Sequence, residues 1–267
     1  MRHRVRMLVC LALLAGCTSG DGALQTDASI SSADWLELDL ASGTVTALGA
    51  PDLRALALAR WRTSHVLFRR IPAAVAASDS RLLPGGGEAE DATACASDGS
   101  AFLAVFELTN AQWAALNGTS GTDRQPLVGV PATLIEAVVA SQRLSHGRLA
   151  LPDPALWVVG CSTGRQALFS WGDGLAESAA GTYAVYHAQS LVVPNTPAEV
   201  GSLLPNAWGL YDMHGNVWEM VRRADGGYEA RGGAWDAPIL QCRTANAVPL
   251  DGDLAVPSVG VRLALRP

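Results

Sequence analysis

The 267-residue sequence predicts an α+β fold assembled from short elements. Three observations carry that expectation. Apolar residues alternate with period two from Trp35 to Leu40 and again from Thr44 to Leu48, the pattern of half-buried strands. Helix-start signals recur at Thr109, Pro131 and Asp153, each ahead of a short apolar run. The stretch from Pro205 to Trp235 is dense in Trp, Gly and Asn and reads as turns, because Asn206, Gly209, Gly215 and Asn216 tolerate positive φ.

In chain order, Arg2, Arg4 and Arg6 precede an apolar run from Met7 to Ala15 that is too short to span a bilayer on about 20 residues. Residues 1–16 therefore read as a secretory signal. Its end, Leu14-Ala15-Gly16-Cys17, looks like a bacterial lipobox, so cleavage before Cys17 and acylation of its thiol are expected, with the lipid as a membrane anchor. Thr18 after the cysteine favours the outer membrane of a Gram-negative envelope. Residues 17–33 are small and polar, a tether. Residues 34–62 form an extension in which Ala41-Ser42-Gly43 turns Trp35–Leu40 into Thr44–Leu48, a β-hairpin.

The main domain, 63–267, opens with a strand at His65–Pro72, followed by a loop through Gly85-Gly86-Gly87 and a strand at Ala101–Phe106. Thr109 and Gln112 make a capping box for a helix that stops at Gly118. Pro131 starts a second helix through Leu134, Ile135 and Val138, with Gly147 as its stop. Asp153 caps a third that begins at Pro154, carries Trp157 and ends by Gly164. Beyond Gly172, regular structure is expected to be sparse.

Several function classes are excluded. A formal charge of −6 provides no basic footprint for nucleic acid. The histidines His3, His65, His146, His187 and His214 are never three or four apart, so no zincin helix exists. No P-loop, dinucleotide fingerprint or G-x-S-x-G elbow is present. Asp251 and Asp253 around Gly252 read as a solvated turn, not an acid/base pair.

The motifs in the aromatic stretch, Pro205-Asn206-Ala207-Trp208-Gly209-Leu210-Tyr211-Asp212-Met213, Gly215-Asn216-Val217-Trp218-Glu219 and Arg231-Gly232-Gly233-Ala234-Trp235, resemble the formylglycine-generating enzyme or sulfatase-modifying factor family. Phe106-Glu107-Leu108-Thr109-Asn110, Leu151-Pro152 with Trp157, Trp171-Gly172-Asp173 and Gly260-Val261-Arg262 follow in that family's order, from about Leu67 to Leu265. The resemblance implies a compact, C-type-lectin-like α+β fold, low in regular secondary structure.

It also implies a chemistry, and this chain departs from it. The family holds Cu(I) with a pair of cysteines beyond the Gly-Gly-Ser segment, since a soft monovalent metal needs paired thiolates. Here Ala237 stands at the first cysteine's place and Cys242 at the second's, while Met220 replaces an active-site Trp and Ala234 a Ser. Copper oxidase activity is therefore expected to be lost, with Cys242 the one family active-site cysteine retained. Cys161 matches a family cysteine whose disulfide partner would lie near Leu263, and Cys95, Cys161 and Cys242 allow three alternative pairings. By the same resemblance, calcium would be bound by the main-chain oxygens of His214, Gly215 and Val217 and the side chain of Glu219. The competing expectation is a turn with Glu219 paired to Arg222 or Arg223. The reading is an envelope lipoprotein whose domain serves as a binding or scaffold module for an envelope protein or glycan, the alternative being an oxidoreductase that converts a sulfatase cysteine to formylglycine.

Overall fold

The computed structural model describes residues 27–52, 56–77, 94–187 and 196–267. The signal and lipidation site at Cys17, and the Gly85-Gly86-Gly87 loop, lie outside the described residues. A short helix α1 (Asp27–Ser32) leads into β1 (Trp35–Asp39) and β2 (Val45–Leu48), which pair antiparallel with Leu36 opposite Ala47. The turn between them needs glycine: Gly43 has φ +70°, and a Cβ there would lie 2.1 Å from the Arg143 carbonyl oxygen.

A 3-10 turn (Leu56–Arg62) brings the chain to β3 (His65–Arg70), which pairs antiparallel with β1 along its whole length. The hairpin is thus continuous with the main sheet. β4 (Ala74–Ala77) and β5 (Ala94–Ser97) form a separate two-stranded ribbon. β6 (Phe102–Ala104), β7 (Arg148–Ala150) and β12 (Ala264–Arg266) complete a six-stranded sheet of order β2-β1-β3-β6-β12-β7.

The helices follow the local signals closely. α2 (Asn110–Leu116) has the complete capping box, Thr109 Oγ1 accepting from the Gln112 amide at 3.1 Å and Gln112 Oε1 from the Thr109 amide at 3.0 Å. α3 (Ala132–Ser141) ends six residues before the glycine expected to stop it, with Gln142 already extended. α4 (Pro154–Ser162) is capped by Asp153 and closed by Thr163 in the left-handed region at φ 54°. All of its residues from Leu156 to Ser162 are buried, so it is a core helix, not an amphipathic one.

The C-terminal half is more regular than its composition suggests. α5 (Glu177–Tyr183) lies beyond Gly172, and β8 (Trp218–Arg222), β9 (Tyr228–Arg231), β10 (Ala247–Leu250) and β11 (Val259–Gly260) form a second sheet of order β10-β9-β8-β11. The stretch read as turns therefore contains a hairpin, β8 and β9, joined at Asp225-Gly226-Gly227. A turn signal of that kind marks a hairpin tip as readily as a loop. After β11, Val261 and Arg262 carry the chain from the second sheet into β12 of the first, and Trp157 of α4 lies fully buried beside this crossing.

Candidate functional site

Two centres lie around the aromatic stretch: a buried charge cluster, and the neighbourhood of Cys242. In the first, Arg262 is held in an apolar run, Val261-Arg262-Leu263-Ala264-Leu265, and its side chain is fully buried. A buried guanidinium must have all its donors satisfied. Nη1 donates to the carbonyls of Ala104 at 2.8 Å and Val105 at 2.9 Å; Nη2 donates to Tyr211 O at 2.7 Å and Glu219 Oε1 at 2.6 Å; Nε donates to Glu219 Oε2 at 2.9 Å. The other donor to Glu219 Oε2 is the Trp157 indole, at 2.6 Å. One arginine thereby ties β6, the 211–213 segment and β8 together.

Two more carboxylates surround this pair. Glu107 accepts from Asn216 Nδ2 at 2.5 Å and from the Val217 amide at 3.1 Å, and Asp212 accepts from the Gly201 amide at 2.6 Å. Burial, with the charges of Asp212 and Glu219, holds the Glu107 carboxyl well above the ordinary carboxylate range. Burial pushes Asp212 up to about 6 against the opposing pull of the Gly201 amide and Arg262. Three buried carboxyl groups therefore share the field of one buried guanidinium, Arg262.

The four residues assigned to calcium fall within this cluster, and their arrangement does not fit the ion. Glu219, the only anionic member of the set, has both oxygens occupied by Arg262 and Trp157. A dication there would sit beside a fully buried guanidinium, which repels it. Glu219 is also paired with Arg262 and not with Arg222 or Arg223: Arg222 faces Glu136 at 3.6 Å and Arg223 faces Asp225 at 2.5 Å. Gly215 is instead required by close packing, since a Cβ there would come within 2.2 Å of the Val185 carbonyl oxygen.

The side chain of His214 has a role of its own. Its Nδ1 donates to the Cys242 carbonyl at 2.8 Å, and its Nε2 accepts from the Ser170 amide at 3.0 Å, which fixes one neutral tautomer. Phe169 and Trp171 enclose the ring edge-on at 5.6 and 4.9 Å between centroids. Burial lowers the imidazole to about 4. Cys161 Sγ lies 3.5 Å from Nε2, the layout of a thiol and its base, yet burial pushes that thiol up to about 12. Thiol and imidazole are both neutral, so the pair is a packed contact and not a nucleophile.

A group whose folded value lies below its unfolded one stabilises above the unfolded pKa, and that contribution is lost as pH falls through the folded pKa. For His214 the window runs from 6.5 down to about 4. Asp212 slopes the opposite way, from about 6 down to 3.8, so the wild-type curve mixes the two. The destabilisation caused by His214→Gln should therefore shrink by about 3 kcal/mol between pH 7 and pH 4. Urea titrations of both proteins at several pH values check this, and a pH-independent difference would contradict it.

Cys242 ends a second 3-10 turn (Ile239–Cys242), is fully buried, and belongs to the same buried apolar cluster as Met220, Ala230, Ala234 and Ala237. A Cβ on Gly233 would come 2.4 Å from its sulfur. Burial raises the thiol to about 12. Cys161 directs its sulfur to Met213 O, Thr244 Oγ1 and the His214 ring, at 3.5 to 3.9 Å, whereas the Cys242 sulfur faces Pro238 O at 3.9 Å. Cys95, Cys161 and Cys242 are all buried and free, so none of the three alternative disulfides forms. A lone, buried and neutral thiol does not fit a copper ion, which needs paired thiolates.

A family model for the sulfatase-modifying factor enzyme 1-like domain matches residues 70–267. Solved structures with the same fold include variable protein 1 of Treponema denticola, at 17% identity and TM-score 0.62, covering 76% of this chain and 96% of that one. PvdO from Pseudomonas aeruginosa aligns at 21% identity and TM-score 0.65, covering 75% of this chain and 94% of that one. CarF aligns at 17% identity and TM-score 0.53, covering 74% of this chain and 99% of that one. No curated protein matches the chain. At these identities the structural likeness establishes the fold alone.

Proposed function

Since the chain belongs to the family of sulfatase-modifying factor enzyme 1-like domains, we propose that it uses this fold for recognition at the cell envelope and no longer performs the family's thiol oxidation. One observation carries the reading. Ala237, Ala234 and Met220, all buried, stand at the positions where the family resemblance calls for a cysteine, a serine and a tryptophan, and the lone Cys242 thiol is buried and pushed up to about 12. The basic, apolar and Cys17-terminated N-terminus supports delivery to the envelope and a lipid anchor there. Among the described residues no helix is long and apolar enough to cross a membrane, so a tether through Cys17 would supply the attachment.

The test is an incubation of the purified domain with Cu(I), oxygen and a peptide containing Cys-x-Pro-x-Arg, followed by mass spectrometry. The peptide is expected to leave unchanged. Ala237→Cys is also expected to stay inactive, because Met220 and Ala234 still stand where the family resemblance calls for a tryptophan and a serine. An aldehyde product from the unaltered protein would overturn the reading and restore the oxidoreductase alternative.

A further inference from the structure

A spacious cleft lies where the hairpin extension meets the family domain. It has a volume of about 570 Å³, and its walls include Trp35, Asp52, Arg69, Tyr183, Trp208 and Tyr211. Trp35, Pro51, Asp52 and Arg69 precede residue 70, where the family match begins, so about a third of the residues lining this cleft lie ahead of the matched region.

Four aromatic rings line the cleft, and each is held in place by the fold. Trp35 and Arg69 are cross-strand partners on β1 and β3, and the guanidinium lies over the indole at 4.8 Å. Asp34 steadies that guanidinium at 3.3 Å. On the facing wall, Asn206 Oδ1 accepts from the Trp208 and Leu210 amides at 3.0 and 3.1 Å, while its Nδ2 donates to Gly160 O at 2.8 Å. That frame fixes the backbone that presents Trp208. Tyr183 stacks on Trp171 at 5.4 Å and 11°, and Trp171 on Phe169 at 4.6 Å and 2°. Tyr211 stacks on Phe106 at 4.9 Å. Leu204, 54% exposed, forms part of the rim.

Rigid aromatic walls of this kind cost little side-chain entropy on binding. The charged groups in the lining are one guanidinium and one carboxylate, so the cleft offers no surplus positive charge for a phosphate or polyanion. A pyranose has the complementary chemistry: C–H-rich faces that lie on indole and phenol rings, and an equatorial edge of hydroxyls for guanidinium and carboxylate. The volume suits one or two sugar rings. Resting on the recognition reading above, we propose that this cleft binds an uncharged saccharide of the envelope.

The full domain would be titrated with cellobiose, maltose, chitobiose and a proline-rich peptide, with tryptophan fluorescence and amide chemical shifts as readouts. At least one disaccharide is expected to bind and to shift amides of Trp35, Arg69 and residues 204–211. Trp208→Ala and Trp35→Ala should each weaken that binding at least tenfold, while Trp113→Ala, on α2 away from the cleft, leaves it unchanged. Unchanged melting temperatures in the Trp208 and Trp35 variants separate lost contact from lost fold; if Trp208→Ala unfolds, Trp208→Leu serves instead. No saccharide response, binding by the proline-rich peptide alone, or binding indifferent to both tryptophans would overturn this inference. None of these outcomes touches the functional reading, which falls only if the aldehyde forms.

Discussion

Arg262→Met is expected to destabilise the domain by roughly 3–5 kcal/mol, the range for removing one partner of a buried ion pair. The substitution keeps much of the volume but strips Glu219 of its counter-charge and leaves the carbonyls of Ala104, Val105 and Tyr211 without a donor. Because Glu107 and Asp212 are already held above their ordinary pKa values, the remaining carboxylates repel one another more strongly once the guanidinium has gone. Urea midpoints at pH 7 measure the loss. Arg262→Lys keeps the charge but not the planar fork that reaches two backbone segments and the Glu219 carboxylate at once, so it should recover only a fraction. A midpoint within error of wild type would show that the cluster does not hold the two sheets together.

Trp157→Ala should cost a similar amount, roughly 3–5 kcal/mol, as expected for deleting a large buried ring. Trp157 is fully buried, its ring lies against Gly232, where a Cβ would come 3.2 Å from Cζ2, and its N–H completes the shell of Glu219. The two contributions separate by substitution: Trp157→Phe retains most of the apolar area and removes the donor, for a loss of about 1–3 kcal/mol. Denaturant unfolding of the pair resolves them. Equal losses for Ala and Phe would mean that the hydrogen bond, not the ring, dominates.

These two residues also show how far the sequence could be read. The start of α2 and both ends of α4 were legible because their signals are local: Thr109 with Gln112, Asp153 before Pro154, and Thr163-Gly164 after the last turn. The fold followed from the order of the family's motifs, and the same resemblance placed Ala237 and Cys242 at the family's two cysteine positions. The charge cluster is different, since Glu107, Asp212, Glu219 and Arg262 meet only when segments more than a hundred residues apart converge. A trace of it was present all the same. Glu107 and Arg262 each sit alone within apolar runs, Phe102 to Leu108 and Val259 to Leu265, and a charge in such a run has to find a buried partner. Glu219 was assigned to a cation because its motif was read without that partner. His214 was read only for its carbonyl, and its imidazole proved to be a core linker between Ser170 and Cys242. The second sheet escaped notice because β8 is buried along most of its length, so period-two alternation was missing.

The claim that thiol chemistry has been lost rests on Cys242 being alone and fully buried, and native-state alkylation measures that burial directly. The domain would be exposed to iodoacetamide and the extent of reaction at Cys242 followed by peptide mass mapping, alongside its unfolding rate. The account predicts that Cys242 reacts only as fast as the domain opens, and that it reacts readily once urea is added. Rapid modification of Cys242 in the folded protein would contradict it, because a thiol that meets reagent freely could also meet copper and substrate.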